Sequence, residues 1–404
     1  MRIVFVIGTS TGGVGTHVRA LARDVAAAGH EVGVIGPGAT DAHFGFSALP
    51  GVRFAALELG TGIGPRDGRL VLRLRTLLRT FAADIVHAHG FRAGLVALAA
   101  VRSLPARPRF VLSLHNQAGG QGLRGRVESG IEALLAKGAD VTLGASADLV
   151  ERARSLGAAD ARFVPAAAPE VRVVDADTAR RTREALAAEY GFDPDAVIVL
   201  SVGRVAPQKN YPMLVRALGR LGAQRECAPR DPGGPHPGST AEAGPCPDLV
   251  FLVAGAADEA VLDEVRTQYR HLPAATPPPL HFLGPRDDVA ELGAAADIFV
   301  LTSIWEARAL VLQEALIAGK AIVATRGGGT EELIGSAGVL IDSDDDRALA
   351  AVVSELASDP AARAELGARA AAAGARLPDE GDVAEVLLAL YSELGAAQVG
   401  WSER

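Results

Sequence analysis

Short apolar segments alternate with segments of helical periodicity along the first part of the chain. The apolar segments predict six strands, at 2–7, 31–35, 52–57, 84–88, 110–114 and 141–144. Between several of them, apolar residues recur every three to four positions, which predicts helices at 16–28, 68–82, 92–103 and 147–156. This alternation is typical of a parallel sheet with helices on both faces.

A second alternating series follows. It predicts strands at 197–202, 249–254, 280–283, 297–301, 321–324 and 338–341, and helices at 210–221, 258–270, 287–294, 309–318, 346–357, 360–374 and 380–396. Residues 165–178 hold two prolines and no clear periodicity, so we expect a linker there. The sequence therefore predicts an α/β protein with two tandem, Rossmann-like, doubly wound domains, 1–164 and 179–380, that face a cleft. Ligands of such sheets bind outside the carboxyl ends of the strands.

Residues 223–248 interrupt the second series. They are rich in Pro and Gly and almost free of large apolar residues, which is typical of a flexible surface loop. Both cysteines, Cys227 and Cys246, lie in this segment. They could form a disulfide across the loop, although two free thiols in a reducing cytosol are the favoured interpretation. Two cysteines are too few for a disulfide scaffold or a cysteine-rich metal site.

Charge and composition narrow the class of partner. The 404 residues carry a net charge of −8 and only 4 % aromatic residues, which argues against nucleic acid as a partner. The charge is uneven, since residues 1–170 hold 19 Lys and Arg against 13 Asp and Glu. No apolar stretch reaches the ~20 residues that span a bilayer, and the apolar start is too short for a signal peptide, so we expect a cytoplasmic protein. Only Lys137, Lys209 and Lys320 are lysines.

A glycine-rich loop follows the first predicted strand. Gly12, Gly13 and Gly15 precede a helix whose first amides could face an anion. The pattern is not a dinucleotide fingerprint, because Val18 stands at the third glycine position and no acid ends the second strand. A turn that only lets strand and helix pack remains the alternative.

Two cations follow the first strand of the second domain. Arg204, directly after Gly203, and Lys209 lie at the carboxyl end of strand 197–202 and near a helix start. Fixed cations in such a place suit a diphosphate, since each charge pair at 4 Å contributes about 4 kcal/mol at an effective dielectric near 20, before desolvation. A solvated basic turn would show the same residues.

Two glutamates form the most informative spacing. Glu306 follows strand 297–301, and Glu314 lies in the next helix among apolar residues. Because an unpaired buried charge is costly, Glu314 should face a polar partner such as a pair of hydroxyls. The alternative places Glu314 on the solvent face of an amphipathic helix.

Together these elements resemble the retaining glycosyltransferases of family 4 (glycosyl transferases group 1), which have the GT-B fold. The matching residues occur in the family's order along nearly the whole chain. They are the Gly12-Gly13 loop, Asp84-Ile-Val-His87-Ala-His89-Gly90, Ser113-Leu-His115-Asn116, Gly203-Arg204 with Lys209, Glu306 with Glu314, and Gly327-Gly328-Gly329 with Glu332.

The resemblance implies a nucleotide-sugar donor on the second domain and an acceptor on the first. Arg204 and Lys209 would hold the diphosphate, Glu314 the ribose hydroxyls and Glu306 the hydroxyls of the donor sugar. Residues 381–404 would form a helix that crosses back to the first domain. A hexose-type sugar would move to an acceptor hydroxyl with retention of configuration, and no cofactor is expected beyond the nucleotide-sugar co-substrate.

The remaining donor contacts are also implied by the resemblance. Gly12 and Gly13 would approach the phosphates from the other side, and Gly328 and Gly329 would line the donor with their backbone. His115 would lie near the transferred sugar and, with Arg204, Lys209 and Glu306, is assigned a catalytic role.

The chain departs from the family pattern beside the first glutamate. Ala307-Arg308-Ala309 replaces the usual Gly-Phe-Gly, so main-chain contacts to the sugar are expected to differ. Arg308 could reach a phosphate or an anionic sugar, or it could point to solvent.

We expect metal-independent chemistry. The leaving diphosphate would be stabilised by Arg204, Lys209 and the Gly13 loop amides, and its own oxygen would take the acceptor proton in a front-face route, since no nucleophilic carboxylate is identified. The run Asp344-Asp345-Asp346 precedes a helix and is better explained by capping than by a metal. His87 and His89 lack a third ligand, which favours packing or acceptor-side roles.

A basic amphipathic segment, 66–81, indicates the acceptor. Arg69, Arg73, Arg75 and Arg79 interleave with leucines, which would suit anionic lipid at the inner face of the membrane, or equally a packed helix with a solvated arginine face. With the basic first domain, this suggests an anionic or lipid-linked acceptor and peripheral membrane contact. The competing functions are a GT-B-fold sugar-nucleotide epimerase or phosphorylase, and a non-catalytic nucleotide-sugar-binding protein.

Overall fold

The computed structural model describes residues 1–402 apart from 11, 61, 63, 65–66, 117–121, 168–171, 228–247 and 274–275. The chain divides into two compact units. The first unit contains Met1–Glu170 and Pro378–Arg404, and the second contains Val171–Leu377. Each unit is built around one parallel sheet.

The first unit has a seven-stranded sheet in the order β3-β2-β1-β4-β5-β6-β7. Its strands are β1 (Arg2–Ile7), β2 (Glu31–Gly36), β3 (Val52–Ala56), β4 (Ile85–His89), β5 (Arg109–Leu114), β6 (Val141–Gly144) and β7 (Ala161–Phe163). Its first helices are α1 (Gly13–Ala27), α2 (Gly38–Phe44), α3 (Asp67–Phe81), α4 (Phe91–Arg102), α5 (Gly122–Gly138) and α6 (Ala147–Ser155). The central strands are buried on both faces, which explains their nearly continuous apolar sequences.

The second unit has a six-stranded sheet in the order β10-β9-β8-β11-β12-β13. Its helices are α7 (Ala176–Tyr190), α8 (Tyr211–Cys227), α9 (Glu259–Arg270), α10 (Val289–Ala295), α11 (Leu310–Ile317), α12 (Thr330–Ile334), α13 (Asp346–Ser358) and α14 (Pro360–Gly374). Its strands are β8 (Val197–Val202), β9 (Leu249–Ala254), β10 (Leu280–Gly284), β11 (Ile298–Leu301), β12 (Ala321–Thr325) and β13 (Val339–Ile341). Separate apolar clusters cover the two faces of this sheet.

The last helix, α15 (Glu380–Ser402), belongs to the first unit. Val383, Leu387 and Tyr391 recur every four residues and pack in the same buried cluster as Ile3 and Phe5 of β1. Residues that are distant in the sequence therefore complete the core of the first unit. Among the described helices, none is both long and apolar enough to cross a membrane.

The twelve predicted strands are all present, with ends that agree within one residue. The sequence missed β7, which has only three residues, and helices α2, α5, α7 and α12. The predicted linker is too long by three residues, because Asp175 caps α7 by accepting a hydrogen bond from the Thr178 amide. The predicted loop 223–248 also begins too early, since α8 continues to Cys227. Residues 228–247, including Cys246, lie outside the described residues.

Candidate functional site

Three adjacent strands of the second sheet carry most of the predicted donor-binding residues. Lys209 follows β8, Glu306 follows β11 and Gly328 follows β12, and these strands are neighbours in the order β8-β11-β12. Because the sheet is parallel, their carboxyl ends lie at one edge, where ligands of doubly wound sheets bind.

Lys209 and Glu306 form an ion pair at this edge. The Lys209 Nζ lies 2.6 Å from the Glu306 Oε1, and the two side chains are only 18 % and 13 % exposed. Backbone contacts hold the two loops together: the Ile304 amide donates to the Gln208 carbonyl (2.8 Å), and the Gln208 amide side chain donates to the Trp305 carbonyl (2.7 Å). The pair is therefore fixed from both sides.

The glycine-rich segment after β12 contacts the backbone of Glu306. The Gly329 amide donates to the Glu306 carbonyl at 2.8 Å, and Glu306 and Gly328 form an isolated parallel bridge. Gly328 has a φ of +61°, and a Cβ there would lie 2.1 Å from the Glu306 carbonyl oxygen. Only glycine fits this position without a shift of the backbone. The structure thus brings Lys209, Glu306, Gly328 and Gly329 together.

Glu314 is half-buried in α11, beside the buried residues Leu312, Ala315 and Leu316. Within the described part of the chain, no side chain or amide pairs with its carboxyl group. Burial raises the pKa of Glu314 to about 7. This partial burial disfavours the alternative in which Glu314 lies on the solvent face of an amphipathic helix, and the carboxyl group is available to a ligand.

The two arginines near this edge differ. Arg204 is exposed after Gly203, and we find no partner for it among the described residues. Arg308 is buried, with 9 % of its side chain exposed, and its Nη1 lies 3.8 Å from the Glu332 Oε1. Burial lowers the pKa of Arg308, and Glu332 opposes this effect. The alternative in which Arg308 points to solvent is wrong.

In the first unit, four histidines gather at the carboxyl edge of adjacent strands β1, β4 and β5. We call this group, His17, His87, His89 and His115, the histidine cluster. His17 lies on α1, His87 and His89 on β4, and His115 directly after β5. The rings of His87 and His89 are 4.2 Å apart, those of His89 and His115 stack at 5.4 Å, and His17 contacts both His89 and His115 at 5.8 Å.

The histidine cluster is tied to the rest of the unit by hydrogen bonds. His87 Nδ1 lies 2.6 Å from the Tyr391 hydroxyl on α15, and its Nε2 lies 2.7 Å from Ser113 Oγ. His89 Nδ1 lies 3.1 Å from His115 Nε2. Of the two roles predicted for His87 and His89, packing or acceptor side, their burial in the core of the unit supports packing, and His89 additionally contacts the candidate catalytic residue His115.

Burial keeps these imidazoles neutral. It lowers the pKa of His17 to about 4 and that of His115 to about 3. The pKa values of His87 and His89 also fall well below the usual range, because burial and the neighbouring histidines both disfavour the charged form. At neutral pH the cluster therefore consists of hydrogen-bond donors and acceptors without charge.

Gly12 and Gly13 are exposed at the start of α1, and a Cβ at Gly12 would meet open space. The Gly12 carbonyl accepts from the Gly15 amide at 2.9 Å, which begins the helix. A Cβ at Gly15 would lie 2.0 Å from the Phe44 ring, so Gly15 is required for packing. The packing alternative holds for Gly15, whereas Gly12 and Gly13 remain open to a ligand.

The capping interpretation of the aspartate run is confirmed at Asp345, whose carboxylate accepts from the Ala348 amide at 2.8 Å. Asp344 pairs with Arg216 at 2.7 Å, and Asp346 with Arg216 and Arg220. Across the described residues, no group of three or more His, Cys, Asp and Glu side chains is arranged to hold a metal ion.

Sequence reasoning did not single out His17 or Tyr391, and it named Ser113 only as part of a family motif, without a role. The i, i+4 spacing of Gly13 and His17 puts the histidine one turn into α1, but that spacing also describes an ordinary helix residue. Tyr391 is separated from His87 by 304 residues, so no local pattern links them.

Two family models match this chain in tandem. "Glycosyl transferase 4-like domain" matches residues 12–168, and "Glycosyl transferases group 1" matches residues 182–373. Together with the two parallel sheets and the motif residues at their edges, these matches define a class: the chain belongs to the family-4-like glycosyltransferases of the GT-B fold.

Similar proteins agree with this class. The chain is 29 % identical to a glycogen synthase of Mycobacterium tuberculosis over 96 % of its own length and 92 % of that protein. It is 27 % identical to a D-inositol 3-phosphate glycosyltransferase of Pseudarthrobacter chlorophenolicus over 78 % of its length and 72 % of that protein.

Solved structures share the fold. HepE from Anabaena, crystallised with UDP, superposes with a TM-score of 0.77 at 20 % identity, over 97 % of this chain and all of that one. A sucrose-phosphate synthase of Thermosynechococcus elongatus superposes with a TM-score of 0.75 at 19 % identity, over 98 % of this chain and 100 % of that one.

Proposed function

We propose that this chain is a retaining glycosyltransferase that moves a hexose from a nucleoside-diphosphate sugar to an acceptor hydroxyl. The observation that carries the proposal is the Lys209–Glu306 ion pair, held against Gly328 at the carboxyl edge of the second sheet. A cation beside a carboxylate can meet the two halves of such a donor, because the diphosphate is anionic and the sugar presents hydroxyls.

Each donor contact uses a different chemical property. Arg204 is exposed and unpaired among the described residues, so it can turn toward the diphosphate together with Lys209. Glu314 has a desolvated carboxyl group that gains hydrogen bonds when it accepts from two ribose hydroxyls. Gly12 and Gly13 are exposed at the start of α1, where backbone amides suit an anion such as a phosphate. The UDP complex of the structural neighbour HepE supports a nucleoside diphosphate as the ligand class.

The chemistry follows from where charge develops. The bond between the sugar's anomeric carbon and the diphosphate oxygen breaks, and a bond to the acceptor oxygen forms on the same face. The diphosphate oxygen takes the proton of the acceptor hydroxyl. Arg204 and Lys209 stabilise the negative charge that grows on the diphosphate, and Glu306 orients the sugar hydroxyls. His115 contributes a neutral polar group.

An anionic or lipid-linked acceptor forms the finer part of the proposal. On α3, Arg69, Arg73 and Arg79 are exposed beside Leu72, which is 62 % exposed, whereas Leu74 and Leu78 are buried. A basic face with an exposed apolar residue suits an anionic bilayer surface. Co-sedimentation with vesicles of anionic lipid at low salt should capture the protein, and the triple change Arg69→Gln, Arg73→Gln, Arg79→Gln should release it. No binding at all would count against membrane contact, and equal binding to zwitterionic vesicles would count against recognition of anionic lipid by the arginine face.

The donor is tested by thermal unfolding with a panel of nucleotide sugars. A ligand at a hundredfold excess over its Kd stabilises the folded state by about 2.7 kcal/mol, so the preferred donor should raise the melting temperature most. Release of nucleoside diphosphate in the presence of this donor then reports turnover. Unchanged turnover in both Lys209→Ala and Glu306→Ala would contradict the assignment of the site.

A further inference from the structure

We propose that His89 is a positioning residue that holds His115 in the tautomer with the proton on Nδ1, so that His115 acts toward substrate as a hydrogen-bond donor. This proposal rests on the proposed function for the role of His115, but the tautomer itself is a property of the ligand-free protein.

The geometry begins with one hydrogen bond between two neutral rings. His89 Nδ1 and His115 Nε2 are 3.1 Å apart, and the rings are nearly parallel, with an interplanar angle of 12°. A neutral imidazole carries one proton on two nitrogens, so one ring must donate and the other must accept. The choice made at this bond fixes which nitrogen of His115 is left for the substrate.

The other nitrogen of His89 decides the direction. His89 is 3 % exposed, and its Nε2 is buried without a hydrogen-bond partner among the described residues. If His115 donated, His89 would carry its own proton on Nε2, as a buried N–H with nothing to accept it. Orphaned buried N–H groups are rare in folded proteins because the lost hydrogen bond is not recovered. Donation by His89 Nδ1–H instead leaves only a bare lone pair in this enclosed position.

Neighbouring rings and strands fix the orientation of the His89 side chain. Its ring packs against His87 at 4.2 Å and against Phe5 at 5.9 Å, and its own strand position pairs with Ile7 of β1 and Ser113 of β5. Both neighbouring strands therefore hold the backbone of His89, and the rings limit its rotation.

His115, unlike the buried His89, is partly exposed. It lies directly after β5, and its Nδ1 makes no hydrogen bond to any described residue. With Nε2 engaged by His89, the Nδ1–H is the group that can meet a substrate oxygen. His115 would therefore stabilise an oxygen by donation and would not remove a proton from the acceptor hydroxyl, which fits a reaction in which the leaving diphosphate takes that proton.

The decisive measurement is the tautomeric state of His115 in the ligand-free protein, read from long-range ¹H–¹⁵N spectra after selective histidine labelling. We expect the pattern of a neutral ring protonated on Nδ1. His89→Leu should convert it to a mixture or to the Nε2-protonated form, whereas His89→Asn, whose amide nitrogen occupies nearly the place of Nδ1, should preserve it. Tyr391→Phe is the matched control, because it removes a hydrogen bond of the same cluster at His87 without touching His115.

Turnover provides the second readout. Loss of a group that orients a metal-ligating histidine typically costs tenfold to a hundredfold in activity, and we expect a loss of about that size in kcat for His89→Leu, with most of it restored in His89→Asn. An Nε2-protonated His115 in the wild-type protein, or a His115 tautomer that is unchanged in the His89→Leu variant, would overturn the proposal. If no nucleotide sugar is turned over at all, the proposed function fails, while the spectra still decide the role of His89.

Discussion

Lys209 and Glu306 are 97 residues apart in the chain and only 2.6 Å apart in the fold. Both residues were assigned to the donor on separate sequence grounds, and the structure pairs them with each other. Each therefore satisfies the other's charge before any ligand arrives, and the loops after β8 and β11 are held in register by the pair. Variants of the two residues can therefore distinguish their contribution to stability, through the ion pair, from their contribution to sugar transfer.

The first prediction uses a double-variant cycle at this pair. Lys209→Met should lower the free energy of unfolding by about 3 kcal/mol, because it leaves a largely buried carboxylate unpaired. Adding Glu306→Gln should recover most of this loss, since the unpaired charge is gone. Transfer should fall by at least about a hundredfold in the single variants and should not recover in the double variant. Urea unfolding and initial rates measure the two effects, and a double variant that regains activity would refute direct donor roles.

The second prediction concerns Gly328. Gly328→Ala should destabilise the second unit by more than about 2 kcal/mol, because the new Cβ meets the Glu306 carbonyl in addition to the strain of a positive φ. Gly191→Ala is the matched control, since Gly191 has a φ of +73° and no atom of the described residues would lie within 4 Å of its Cβ. It should cost only about 1 kcal/mol. Equal losses in the two variants, by urea unfolding, would show that the contact with Glu306 is unimportant.

The third prediction concerns Glu314. Its pKa of about 7 lies above the ordinary 4.5, so its contribution to stability is fully present below pH 4.5 and is lost as the pH rises through 7. Glu314→Gln should therefore gain stability relative to the wild type as the pH rises from 4.5 to 8. The same variant should bind the preferred nucleoside diphosphate about tenfold more weakly.

The ligand control for Glu314 is the 2′,3′-dideoxy analogue of that nucleotide. Because the analogue lacks both ribose hydroxyls, wild type and Glu314→Gln should bind it equally well in calorimetric titrations. A variant that loses affinity for the analogue as well would place Glu314 elsewhere in the donor site.

The fourth prediction concerns the stability of the first unit at acidic pH. The pKa values of the histidine cluster are depressed in the folded state, so the stability that these residues contribute is present above about pH 6.5 and is lost as the pH falls toward 4. The free energy of unfolding of the first unit should decline by up to about 1.4 kcal/mol per pH unit for each histidine involved. Hydrogen exchange of peptides from β4 measures this decline for the first unit alone.

A histidine variant tests the source of that decline. His17→Gln should reduce the pH slope, because it removes one of the groups that must stay neutral, whereas the exposed His43→Gln should not. A slope that is the same in all three proteins would assign the acid sensitivity to other groups.

Local sequence patterns determined the architecture of each unit. A buried parallel strand needs a continuous apolar segment, and a covering helix needs an apolar face, so the alternation of the two predicted twelve of the thirteen described strands within one residue. The position of Arg204, Lys209, Glu306 and the glycines after strands was also readable, because a residue after a parallel strand lies at the carboxyl edge whatever the strand order is.

Strand order was decided only by the tertiary structure, and the contacts depend on it. The order β8-β11-β12 pairs Lys209 with Glu306 and brings Gly328 beneath Glu306, and the order β1-β4-β5 gathers the histidine cluster. The sequence offered Lys320 as one of three lysines without a role, and the fold shows it donating to the carbonyls of Ala294 and Ala296, at the end of α10.

The physical reason is that sequence patterns carry information about neighbours along the chain, whereas contacts in the fold join distant segments. Hydrophobic periodicity reports whether a residue faces a core, which neighbours along the chain can reveal. A hydrogen bond such as that between His87 and Tyr391 requires two distant segments to reach the same place, and only the packing of α15 on the first sheet brings them there. The sequence therefore determined which residues stand at the edges of the two sheets, and the fold determined which of them meet.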